Sequence, residues 1–192
     1  MNDQVAVIGA GVAGMSAAQT LADLGIRVVL LEREEFPGGH VRNWDRLFPI
    51  RRPAEEVIRN LNTTHPMIRR IVGTQVTAIS YHDSRYEVSM QNDEKISVDS
   101  IIIATGFRLF DAARKEEYGY GIYDNVITSA ELEKLMKSGQ PLTTKDGRQP
   151  GRVAMIHCVG SRDEKVGNRF CSKVFCVTGV KQAMEIREML PG

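Results

Sequence analysis

The 192-residue chain lacks any apolar run approaching the ~18 residues that a membrane-crossing helix needs, so direct insertion into a bilayer is not expected. It lacks an excess of either charge. Lys and Arg number 25 against 24 Asp and Glu, a net charge of +1, and no block of one sign stands out. That excludes the basic field of a nucleic-acid binder and a polybasic membrane anchor. Met1-Asn2-Asp3-Gln4 has no basic stretch ahead of an apolar one, so no signal peptide is read and a cytoplasmic protein is expected. Cysteine is sparse and odd in number, with three residues, which argues against a disulfide scaffold and leaves metal binding, redox chemistry or plain burial. No internal repeat, low-complexity tract, Ser/His/Asp arrangement or metal-hydrolase spacing is found. Hydrophobic residues at 42% and charged residues at 26% are the balance of an ordinary globular protein, long enough for one sizeable core and thin for two.

What is present begins with Val5-Ala6-Val7-Ile8, an apolar run that suits a strand buried on both faces. Residues 12–24 read as a helix with Ala17, Leu21 and Leu24 on one stripe, Ala18 and Ala22 beside them, and Gly25 ending it. Ile26–Leu31 is a second strand, so the opening is β-α-β with a right-handed crossover. Residues 33–52 are irregular, and Pro53 starts a short helix to about Asn62. Thr74–Tyr81 and Arg85–Met90 pair as a hairpin, and Ser97–Ala104 is another buried strand. After the loop 107–127, Ser129–Lys137 is a helix capped by Ser129. A polar linker over 138–151 leads to a strand at Arg152–His157. Val177–Leu190 is a final amphipathic helix, with Val180, Ala183, Met184 and Met189 toward a core and Pro191-Gly192 stopping it. The expected division is 1–111 and 112–192, the second part a linker plus a partial α/β unit.

Gly9-Ala10-Gly11-Val12-Ala13-Gly14 is a G-x-G-x-x-G set between a strand and a helix, and Glu32 ends the next strand 18 positions after Gly14. That order is a dinucleotide-binding pattern, in which the acid follows at a spacing of about 20. Gly9 allows a tight turn, Gly11 lets the backbone approach a pyrophosphate, and Gly14 permits close helix–sheet packing. Main-chain amides of Val12 and Ala13 at the helix start face the phosphates, and Glu32, with Arg33 beside it, meets the ribose. A carboxylate there repels a 2′-phosphate, which disfavours NADP.

Two further features resemble the FAD domain of glutathione reductase-type flavoproteins over residues 4–110. Gly38-Gly39 follows Glu32 closely, and Ile101-Ile102-Ile103-Ala104-Thr105-Gly106 ends in an Ala-Thr-Gly like the one that closes that domain. The resemblance implies a three-layer α/β Rossmann-type fold with a small β-hairpin insertion. It also implies backbone contact of Val76 with adenine, and cofactor contacts at His40, Val41, Ala104, Thr105 and Gly106. Gly38-Gly39-His40-Val41, Leu47-Phe48-Pro49, Tyr118-Gly119-Tyr120-Gly121, Asn125–Ser129, Cys158–Asp163 and Lys181-Gln182-Ala183 narrow it. They resemble the A component of heterodisulfide reductase and the flavoprotein subunits of the quinone-interacting membrane-bound oxidoreductase complex. That family implies an FAD-dependent electron-transfer oxidoreductase, working with iron–sulfur clusters and other redox subunits of a complex.

Departures from that family are as informative. No cysteine follows the Phe48-Pro49 segment, no C-x₂-C-x₂-C-x₃-C run is present, and Phe175 stands where the family has a further cysteine. Cys158, Cys171 and Cys176 are expected as cluster ligands, with a redox disulfide or buried thiols as the alternatives. Trp44 and Phe48 either shield a flavin or pack under the loop, and Arg51-Arg52 either face phosphates or mark a solvated face. Two alternatives to the main reading stay open. One is an NAD(P)H-dependent flavin disulfide reductase, for which no second G-x-G-x-x-G is seen. The other is a non-catalytic dinucleotide-binding scaffold or fragment that docks a partner; a homo-oligomer is also left open.

Overall fold

The computed structural model describes residues 4–61 and 63–190. The expected helix end at Asn62, the opening Met1-Asn2-Asp3 and the closing Pro191-Gly192 lie outside the described residues. In chain order the elements are β1 (Gln4–Ile8), α1 (Val12–Asp23), β2 (Arg27–Leu31), β3 (Arg46–Leu47), β4 (Arg52–Pro53), α2 (Ala54–Arg59), β5 (Ile68–Ile71), β6 (Val76–His82), β7 (Arg85–Met90), β8 (Lys95–Val98), β9 (Ser100–Ile103), α3 (Ser129–Ser138) and α4 (Phe175–Met189). Two compact units are formed. One is built from residues 1–42 and 55–107, the other from 43–54 and 108–192, so the segment after the second glycine pair belongs to the second unit.

The first unit has three layers. A parallel sheet in the order β5-β2-β1-β9 carries α1 on one face. The antiparallel sheet β6-β7-β8 covers the other, where Val88, Met90 and Val98 pack on Ala6, Val29 and Leu31. Burial on both faces explains the unbroken apolar runs Val5–Ile8 and Val28–Leu31. The expected hairpin is present, with Asp83 and Ser84 both at positive φ, as a two-residue turn between right-twisted strands requires. The single strand expected over Ser97–Ala104 is divided into β8 and β9. The break falls at Asp99, whose carboxylate and main-chain N–H both bond Gln4, tying the chain to the start of β1 as it changes sheet.

The buried stripe of α1 is Gly14, Met15, Ala18 and Ala22, with Leu21 packed partly buried against the same core; Ala18, Leu21 and Ala22 face inward as expected, whereas Leu24 is 71% exposed. The tightest approach is at Gly14, where no side chain fits. A Cβ on Gly14 would sit 1.8 Å from the Gly9 carbonyl oxygen.

In the second unit, α3 is capped by Thr128 instead of Ser129. Its hydroxyl accepts from the Glu131 N–H while the Glu131 carboxylate accepts from the Thr128 N–H, a reciprocal capping box. Arg152–His157 forms no strand, and none of its backbone groups bonds another backbone group among the described residues. The last helix turns a different face inward from the one expected, although Met189 packs against the core. Lys181, Gln182, Glu185 and Ile186 face inward, whereas Val180 is 58% and Met184 49% exposed.

Candidate functional site

In the first unit the site residues are gathered at the carboxyl ends of β1, β2 and β9. The Gly9 N–H donates to the Leu31 carbonyl and the Ala104 N–H to the Ile8 carbonyl, so the three strand ends are laced together. Gly9, at φ +103°, has its Cβ position filled by the Ala104 carbonyl, 2.4 Å away, and Gly14 is filled by Gly9. A Cβ on Gly39 would sit 3.1 Å from the Gly11 Cα. These glycines are required by protein packing. Gly11 differs, since nothing lies within 4 Å of its Cβ position. It also stands at the N-cap of α1 with no side chain capping the helix. The first-turn amides of Val12, Ala13 and Gly14 are therefore open to an anion across a bare backbone.

Glu32 is 8% exposed at the end of β2. Its Oε2 accepts the Ala10 N–H at 2.7 Å and its Oε1 accepts the Glu34 N–H at 3.0 Å. The Ala10 carbonyl accepts the Gly38 N–H at 2.7 Å, which brings the second glycine pair to the first loop. Thr74 N–H donates to the Glu32 carbonyl and Gly73 N–H to that of Glu34, so the strand leading to Val76 starts beside this carboxylate. Arg33 is exposed and pairs with Glu34.

His40 opens the 3₁₀ turn Gly39–Asn43, which also holds Val41. Its Nε2 lies 2.8 Å from the Phe107 carbonyl and its ring is tilted on Phe107 at 4.7 Å. It thus joins the Gly38-Gly39 loop to the Ala104-Thr105-Gly106 loop, where Gly106 has φ +72°. Sequence reasoning found these residues but not their connections: the double hold on Ala10 and the His40–Phe107 bridge.

The second unit holds a buried charged cluster that the sequence did not announce. Lys181 Nζ lies 2.5 Å from Glu133, 3.1 Å from Glu185 and 3.0 Å from the Arg46 carbonyl. Gln182 donates to Glu133 and to the Ser129 carbonyl, and the Asp45 N–H donates to Glu133. Arg51 makes a forked pair with Glu188 and approaches Glu185 at 3.8 Å, so it is committed to protein carboxylates instead of a phosphate or a solvated face. Burial pushes the Glu185 carboxyl upward against the pull of Lys181. Elsewhere in this unit Lys115, in contact with Asp163 and Glu117, holds both carboxyls below the usual range. Trp44 is half-buried and Phe48 is exposed.

The three cysteines do not converge. Cys158 is half-buried at φ +62°, while Cys171 and Cys176 are exposed. Among the described residues no group of three or more His, Cys, Asp or Glu is placed to hold a metal ion. The thiol set as placed does not fit a thiolate-bound cluster.

A parallel sheet with a glycine-rich turn into a helix, an acid closing the second strand and a three-stranded antiparallel layer define an FAD/NAD(P)-binding oxidoreductase fold. The pyridine nucleotide-disulphide oxidoreductase family matches residues 3–160, and the chain belongs to that family. Within it, the chain is similar to the A component of a H₂/formate:CoB-CoM heterodisulfide,ferredoxin reductase from Methanococcus maripaludis, 28% identical over 264 residues. That match takes in 92% of this chain and 40% of the relative, which therefore has residues inside the matched span that this chain lacks. The corresponding component from Methanothermobacter marburgensis is 46% identical over 102 residues, covering 50% of this chain and 16% of its own. Among solved structures, an L-proline dehydrogenase from P. horikoshii matches with a TM-score of 0.45 and 22% identity, over 54% of this chain and 23% of that one. The expected resemblance to the A component of heterodisulfide reductase is upheld, and the chain spans about two fifths of the length of such relatives. No helix among the described residues is long and apolar enough to cross a membrane.

Proposed function

We propose that the first unit binds FAD and that the chain is an electron-transfer flavoprotein of the heterodisulfide reductase A type, working in the cytoplasm with other redox subunits. The observation that carries the reading is the contrast among the glycines. Gly9 and Gly14 are filled by protein, and Gly11 is open beside uncapped helix amides. That is a cradle for a pyrophosphate. In this reading Gly11, Val12 and Ala13 bind the phosphates and Glu32 takes the ribose hydroxyls, with Arg33 at the rim. Val76 and Thr74 border the adenine, while Gly38, Gly39, His40, Val41, Ala104, Thr105 and Gly106 line the path toward the flavin. Bound flavin supplies the redox chemistry, and the protein supplies binding, orientation and a water-poor setting. The Glu32 charge excludes a 2′-phosphate.

The test is the absorption spectrum of protein purified without oxygen and then offered FAD. A two-banded flavin spectrum, with FAD released on denaturation, is expected. A colourless protein that takes up no FAD overturns the proposal. An NAD(P)H-dependent disulfide reductase is the second reading, favoured by the family match over residues 3–160. Oxidation of NADH coupled to a disulfide acceptor distinguishes it from electron transfer to a partner protein. Bound flavin that cannot be reduced and reoxidised points to a non-catalytic scaffold.

A further inference from the structure

Glu32 does more than await a ribose. Both of its carboxylate oxygens are already engaged by main-chain N–H groups, Ala10 on Oε2 and Glu34 on Oε1. Ala10 is 1% exposed, and its peptide is held from both sides, its N–H by Glu32 and its carbonyl by the Gly38 N–H. The residue is flanked by Gly9 and Gly11, the two positions where the backbone is least constrained by a side chain. An unsupported loop of this kind has many conformations, and ordering it costs conformational entropy. We infer that Glu32 is a positioning residue: its carboxylate fixes the Ala10 peptide and so pre-sets the Gly9–Gly14 loop for a diphosphate before any ligand arrives. The inference rests on the dinucleotide-binding reading and deepens it. Ordering of the loop is completed in the ligand-free chain, and the ribose hydroxyls use lone pairs that the two amides leave over.

The distinction from a purely ribose-binding acid is measurable. A ribose ligand matters only when hydroxyls are present, and its negative charge opposes the diphosphate. A loop-positioning carboxylate assists the diphosphate even when no hydroxyl is there. The experiment uses the full chain as Glu32→Gln and Glu32→Ala, two ligands, and one measurement without ligand. The ligands are ADP and 2′,3′-dideoxy-ADP. The ligand-free measurement is amide hydrogen exchange of Ala10, with the Val88 amide of β7 as the folding control.

Exchange at Ala10 is expected to quicken by at least about tenfold in both variants with Val88 unchanged, a factor in keeping with loss of one charge-assisted hydrogen bond. 2′,3′-Dideoxy-ADP is expected to bind more weakly although a negative charge has been removed. Unchanged exchange at Ala10, or dideoxy-ADP binding as tight as or tighter than in the parent, overturns the inference. Should Glu32→Ala also free Val88, the near-isosteric Glu32→Gln decides. If the parent chain binds no nucleotide, the FAD reading fails, and the exchange at Ala10 still decides the positioning role by itself.

Discussion

Replacing Lys181 with methionine is the most demanding test of the second unit. The substitution keeps the length and most of the apolar stem and deletes one charge from a place where water cannot substitute for it. The Glu133 side chain is 5% exposed, and its three donors are Lys181 Nζ at 2.5 Å, Gln182 Nε2 at 2.8 Å and the Asp45 N–H at 3.1 Å. Without the ammonium, Glu133 keeps only two neutral donors, and Glu185 keeps only Arg51 at 3.8 Å. Breaking a buried pair by removing one partner costs about 3–5 kcal/mol. Two carboxylates are stranded here, which argues for the upper half of that range. Trp44 is the only tryptophan and lies in the same unit, so its fluorescence in a urea titration follows this part of the chain. With a urea slope of about 2 kcal/mol/M, the midpoint should fall by about 2 M, or the unit should be unfolded in buffer. A fall of less than about 0.5 M would show that the cluster is hydrated and that the burial argument is wrong.

The glycines divide by what surrounds them. Gly11→Ala should leave the urea midpoint of the first unit within about 0.5 kcal/mol, because the added methyl meets nothing, yet weaken FAD by tenfold or more. Gly14→Ala should unfold that unit, since its methyl would meet the Gly9 carbonyl; a stable Gly14→Ala protein would contradict the close helix–sheet approach. Glu185 has a carboxyl raised by burial, so folding favours its protonated form. Its contribution is fully present below the ordinary glutamate pKa and is lost as pH rises through the raised value. Glu185→Gln should therefore stabilise the protein more at pH 7 than at pH 4, and an equal effect at both would refute the assignment. Protein purified without oxygen should carry no stoichiometric iron or sulfide, because Cys158, Cys171 and Cys176 are not gathered; iron and sulfide found in whole-number ratio would overturn that placement.

The first unit was readable because its signals are local. A buried strand, a glycine turn, a helix and a second strand ending in Glu32 lie within 32 consecutive residues, and the spacing of the glycines is itself part of that local pattern. The face of α1 was readable in part: Ala18, Leu21 and Ala22 do face the core, but the close approach at Gly14 and the exposure of Leu24 are not visible in a count of apolar residues. The last helix misled for a different reason. Its inward residues Lys181, Gln182 and Glu185 are buried by partners far off in sequence, Glu133 at 48 positions from Lys181 and Arg46 at 135. No window of local sequence contains those partners, so periodicity assigned the inside to Val180 and Met184. The cysteines were read from resemblance, which carries residue types but not the distances between them.

The make-up of the second unit also has a bearing on how the chain folds. Residues 43–54 belong with residues 108–192, and the whole stretch 55–107 belongs to the other unit. During synthesis the first unit can mature once Phe107 has left the ribosome, since its parallel sheet is complete at β9. Asn43–Ala54 must by then wait, because the donor to the Arg46 carbonyl and the carboxylates paired with Arg51 lie on α4, up to 137 positions later. Loop-closure entropy grows slowly with length, so the thermodynamic cost of that wait is modest. The kinetic one is larger, because contacts of such separation form late. The segment directly after the second glycine pair is thus the last part of the molecule to find its place, and it is the stretch most exposed to a protease or a chaperone in the newly made chain.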